Sequence, residues 1–146
     1  MNWKTEAVEK LRRYQAMQRA TVNIPREISR LKEESTALRS GLAARPSGSW
    51  NERCREDFLM DNLVTRQQLQ WSLDQATSWI EQVNSAMLTL NAEERLILQQ
   101  LYVLPQNRTL DHLMDQLGME KSSIYRHRDK ALRKFTLSLY GAEESN

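Results

Sequence analysis

From Leu69 to Leu90 the apolar residues fall at alternating steps of four and three without a miss: Leu69, Leu73, Ala76, Ile80, Val83, Met87 and Leu90. That spacing keeps one face of an α-helix apolar over several turns, whereas a strand would need alternation at every second residue. Extended backwards, the series meets Arg66 and Asn62 before Leu59, so the seam reads as interrupted there, with Phe58 and Leu63 marking a shifted face. Ile24, Ile28, Leu31, Leu38 and Leu42 repeat the pattern with Ser35 in one slot, and Trp3, Ala7, Leu11 and Tyr14 do the same upstream. With only four glycines and three prolines to interrupt it, a chain patterned in this way is expected to be all-α.

Three places punctuate the helices. Asn23-Ile24-Pro25 predicts a kink or break, because proline lacks the amide a helix interior needs. Residues 41–50, GLAARPSGSW, read as a loop that folds the first helical segment back antiparallel on the second. Leu104-Pro105-Gln106-Asn107 reads as a short turn. The expected organisation is a helical hairpin or coiled coil over 1–89, serving oligomerisation or partner binding, a helix-turn-helix domain over 90–141, and a tail over 142–146. Trp50, Trp71 and Trp79 are expected in or beside the seam, which could pair within one chain or between two.

Composition excludes several classes. No apolar stretch is long enough to span a membrane, and the charged start MNWKTEAVEKLRRY reads as carrying no export signal, so a cytoplasmic protein is expected. Cys54 is alone, and His112 and His127 stand in no cluster with metal-ligand spacing, so neither a metal nor a cofactor is expected. There is no glycine-rich phosphate loop and no nucleophile with a base, so no catalytic residue is assigned and the chain is not read as an enzyme. The net charge of +2 is uninformative, but its distribution is not. Residues 121–134 hold Lys121, Arg126, Arg128, Lys130, Arg133 and Lys134 against Asp129 alone. A basic helix inside an otherwise neutral region is the footprint expected of nucleic-acid contact, and the same run of charge also fits a solvated helix face.

The last third carries the most specific local chemistry. Asn91 is a good helix cap, and Glu94 three residues on completes the spacing of a capping box. Ile97, Leu101 and either Tyr102 or Leu98 supply that helix's apolar side. Thr109 is expected to cap a second helix, with Asp111 in its first turn and Leu110, Leu113, Met114 and Leu117 buried. Gly118 supplies the positive φ that ends it, and Met119 plugs the turn. A third helix runs to about Tyr140 with Ile124, Ala131, Leu132 and Phe135 inward; glutamate caps poorly, so with Glu120 before it the start can fall as late as Ser122. Helix, loop, short helix, glycine turn and longer basic helix is the order of a helix-turn-helix, whose last helix enters the major groove of double-stranded DNA. Lys121, Ser122, Ser123, Tyr125 and Arg126 are the expected base contacts. Thr109, Arg128, Lys130, Arg133 and Lys134 are the expected phosphate contacts.

On these residues a family resemblance rests. TLDHLMDQLGMEKSSIYRHRDKALRKF, 109–135, resembles the helix-turn-helix of region 4 of bacterial sigma factors, and LNAEERLILQQLYV, 90–103, resembles the helix that precedes it there. The whole layout is similar to that of phage and prophage transcription regulators of the ArpU and RinA types. The resemblance implies a late-gene activator acting with host RNA polymerase, and the seams suggest a homodimer. Two other functions fit a helical chain of this kind: a DNA-packaging oligomer resembling a small terminase subunit, and a helical protein-interaction adaptor.

Overall fold

The computed structural model describes residues 2–41 and 51–142. Most of the expected 41–50 loop, with Leu42 and Trp50, and nearly all of the 142–146 tail lie outside the described residues. Among those described the fold is all-α, with no strand. Six α-helices follow one another: α1 (Trp3–Arg12), α2 (Tyr14–Arg39), α3 (Glu52–Met87), α4 (Ala92–Leu98), α5 (Thr109–Leu117) and α6 (Lys121–Tyr140). A π-helical turn, Gln99–Val103, extends α4.

The chain divides into two compact units, Met1–Gln18 with Ser78–Asn146, and Arg19–Thr77. This division does not coincide with the sequence partition at 89/90. The reason is visible in the core of the first unit. Ala7 and Leu11 of α1, Val83 and Met87 at the end of α3, Leu98 of α4, and Leu132 and Phe135 of α6 form one buried cluster. Ala7, Leu11, Leu98 and Phe135 have no exposed surface. Burying a leucine- or phenylalanine-sized side chain contributes about 1.5–3 kcal/mol, so α1 is a structural part of the C-terminal unit despite its distance in sequence. Trp79 joins it: its indole Nε1–H donates to the carbonyl of Lys10 at 3.0 Å, and the Lys10 ammonium lies 4.2 Å from the ring centroid. A smaller cluster of Ile97, Leu113 and Ile124, with Met114, Leu117 and Met119 packed against it, joins α4, α5 and α6.

In the second unit, Ile28, Leu31, Ser35 and Leu38 form the buried side of α2. Across from them, the Asn62 amide of α3 is buried and donates to the Leu31 carbonyl at 2.9 Å. The Arg55 guanidinium donates to the carbonyls of Leu38 and Arg39. As α3 advances from 55 to 62 its partners on α2 recede from 38 to 31, so these two stretches run in opposite directions.

Three sequence expectations need correction here. Asn62 and Arg66 do not interrupt the seam. Asn62 occupies it, and its Oδ1 accepts from Arg66 Nε at 2.8 Å, so polar groups that satisfy one another take the apolar slots. Pro25 does not break the helix: α2 runs from Tyr14 to Arg39 with Pro25 inside it and Ile28, one turn on, buried. The interruption falls instead at Arg13, between α1 and α2. Trp71 does not pack in the seam: it is 66% exposed.

Candidate nucleic-acid interface

The elements around α6 are set by local chemistry. Asn91 Oδ1 accepts from the Glu94 N–H at 2.8 Å, and the Glu94 carboxylate accepts from the Asn91 N–H at 3.2 Å, the reciprocal pair of a capping box. Past Leu98 the helix widens: the Leu104 N–H reaches back to the Gln99 carbonyl at 2.8 Å, a five-residue span that the apolar pattern does not announce. The turn into α5 passes through Arg108 at φ 59°, a left-handed conformation uncommon outside glycine. Thr109 is not the cap expected of it. It is the first residue of α5, and its hydroxyl donates to the Gln106 carbonyl at 2.6 Å while accepting the Gln106 N–H at 2.8 Å. That use closes the 106–109 turn.

Gly118 ends α5 at φ 62°, as its position suggests, and its N–H bonds to the Met114 carbonyl. Glu120 then takes an extended backbone and caps α6 without any side-chain bond, so the helix starts at Lys121 and not at Ser122. The start is fixed by the backbone, since the Ile124 N–H bonds the Glu120 carbonyl at 3.0 Å.

Along α6 the core takes Ile124, Ala131, Leu132 and Phe135, all at or below 1% exposure. At 3.6 residues per turn, Ser122, Arg126, Lys130 and Arg133 then fall on the opposite side, and all four are exposed. Lys121 is exposed at the N-terminal end. Ser123 is half-buried, and its carbonyl lies 2.7 Å from His127 Nδ1. Tyr125, also half-buried, lies beneath the Arg128 guanidinium at 4.7 Å from its ring centroid, with the Lys121 ammonium at 5.9 Å. Arg128 stands off the outward face, against the ring of Tyr125, with Asp129 Oδ1 at 2.9 Å from its guanidinium. The cations on the outward face are therefore Arg126, Lys130 and Arg133, with Lys121 exposed at the N-terminal end.

Lys134 has a different engagement. Its ammonium donates at 2.9 Å to Glu94 Oε1, the same oxygen that accepts from Asn91 N–H, and Glu94 is 1% exposed. One carboxylate thus caps α4 and ties it to α6. Burial disfavours the charged carboxylate, but the bond from Lys134, the Asn91 N–H, and the charges of Lys134 and Lys130 prevail and hold its pKa below the ordinary carboxylate value. A depressed folded-state pKa means this contribution to stability is complete above the unfolded-state value, about 4.3, and is lost as pH falls through the lower folded-state value. Because Lys134 is solvated at its outer side, Glu94→Ala is expected to cost only about 1–2 kcal/mol, most of it from the lost cap. Glu94→Gln is expected to flatten the acid limb of stability against pH, which thermal melts from neutral to acid pH will read directly. An acid limb identical to that of the wild type would show that another carboxylate governs it.

The sequence placed Ser122, Arg126 and Lys130 on the outer side of α6 but set Ser123, Tyr125 and Arg128 beside them, and it missed Glu94 as a partner of the basic helix, since Glu94 and Lys134 are forty positions apart. No protein-family model, curated protein or solved structure matches the chain.

Proposed function

We propose that the chain is a sequence-specific DNA-binding regulator of transcription, in which α5, the Gly118 turn and α6 act as a helix-turn-helix and α6 enters the major groove. The observation that carries this reading is the outward face of α6. Ser122, Arg126, Lys130 and Arg133 share it, opposite a fully buried core face. Arginine donating in pairs to guanine supplies base discrimination, and lysine and arginine farther along supply phosphate attraction. The antiparallel stretches of α2 and α3 serve in this reading as a helical hairpin for self-association. The resemblance to sigma region 4 and to ArpU- and RinA-type regulators extends the proposal to phage or prophage late genes, with host RNA polymerase as a partner.

The test is a footprint on DNA around the protein's own gene at several salt concentrations. Wild type is expected to protect a discrete site, and Arg126→Ala to weaken that site about 10- to 100-fold, the size of one lost bidentate base contact. Lys130→Ala is expected to weaken all sequences alike and to lower the salt slope by about one. Equal, weak binding to any DNA that ignores Arg126→Ala would sink the proposal.

A further inference from the structure

On α3, opposite the side that carries Asn62, Leu69, Leu73 and Ala76, runs a stripe of exposed apolar residues. Met60 is 58% exposed, Val64 42% and Trp71 66%, with Leu63 beside them at 37%. Their spacing, with Gln67 in the fourth place, is that of a helix face made to meet another helix. Large apolar side chains gathered on one exposed face mark an interaction site.

The charges at the ends of this stripe identify the occupant. Arg53 lies on it one helical repeat before Met60, Asp57 stands nearer Met60, and Asp74 follows Trp71 by three residues; all three are exposed. Laid parallel on a copy of itself, the stripe would set Arg53 against Arg53, Asp57 against Asp57 and Asp74 against Asp74. Laid antiparallel with Met60 facing Val64 of the copy, it sets Asp57 against Gln67 and Arg53 against Trp71, one turn from Asp74. The guanidinium can then lie over the indole and reach the carboxylate, at both ends at once. Shifted by one heptad, the antiparallel pair would instead bring Asp57 against Asp74. We infer that the outward face of α3 is an interface with a second copy of this chain, paired antiparallel about a two-fold axis near Asn62, with Met60 and Val64 at its centre and Arg53–Trp71–Asp74 clusters at its ends. A self-complementary patch of this kind is what a closed two-fold dimer requires.

Sedimentation equilibrium of the full chain tests the pairing without DNA. Wild type is expected to form a dimer with a dissociation constant in the micromolar range. Met60→Glu with Val64→Glu is expected to raise that constant at least about 100-fold while leaving the helical circular dichroism unchanged, since both side chains are exposed. Arg53→Asp alone is expected to weaken the dimer about tenfold, and adding Asp74→Arg to restore it. The two positions are about 32 Å apart along one helix and cannot meet within a chain, so rescue reports pairing between copies. A monomeric wild type, a dimer indifferent to the glutamates, or a failure of the double exchange to rescue would each overturn the inference. A dimer that footprints no DNA would sink the regulator proposal alone, and a monomer that protects a discrete site would sink this pairing alone.

Discussion

A fragment consisting of residues 91–146 is expected to be largely unfolded, although it contains α4, the π-helical turn, α5 and α6 whole. Removing the residues before it strips Ala7, Leu11, Val83, Ala86 and Met87 from the cluster and leaves Leu98, Leu132 and Phe135 facing water. At about 1.5–3 kcal/mol for each large side chain, the loss is of the order of 10 kcal/mol, comparable to the whole stability of an ordinary domain. The smaller cluster built on Ile97, Leu113 and Ile124 remains, but a chain of that size seldom stands on so small a core. Circular dichroism and the dispersion of an amide NMR spectrum will decide it. A well-dispersed spectrum with a cooperative melt would show that α1 and the end of α3 only decorate a self-sufficient module.

Phe135→Ala is expected to cost about 3–5 kcal/mol, the usual effect of removing a fully enclosed aromatic ring. Its particular signature should be where protection is lost. Phe135 lies in one cluster with Ala7 and Leu11, so amides of α1 are expected to exchange faster together with those of α6. Hydrogen exchange followed segment by segment will show this. Faster exchange confined to α6, with α1 unchanged, would mean that the two helices open independently.

What could be read in advance, and what could not, divides along the range of the forces involved. Asn91 with Glu94, and Gly118 with its positive φ, act within one turn of chain, so residue type and spacing suffice to place them. The inward faces of α3 and α6 follow from periodicity for the same reason. The placement of α1 against α6 depends on which apolar faces meet, and Ala7 and Leu11 carry no label for their partner. Pro25 predicts a break from its own chemistry, yet α2 continues through it, since one missing hydrogen bond is a local loss in a helix of 26 residues. Asn62 and Arg66 look like errors in an apolar repeat, because their satisfaction comes from the Leu31 carbonyl of another helix and from each other. On α6 the outward Arg126 and Lys130 were legible as residues the core does not use. The diversion of Lys134 to Glu94 and of Arg128 to Tyr125 was not, since charge alone does not say which cations are already engaged.

The buried Asn62 has a consequence for how the second unit avoids error while folding. Leucine, isoleucine and alanine along α2 and α3 would tolerate sliding by a turn, because one apolar contact replaces another at little loss. The Asn62 amide, which donates to the Leu31 carbonyl, sets a stricter condition: an alignment that leaves its N–H against apolar side chains costs about 1–3 kcal/mol. The bond therefore works as a detent. It adds little to the depth of the correct alignment but raises those neighbours in which the amide meets no carbonyl, so a chain docked in one of them is driven to let go and try again.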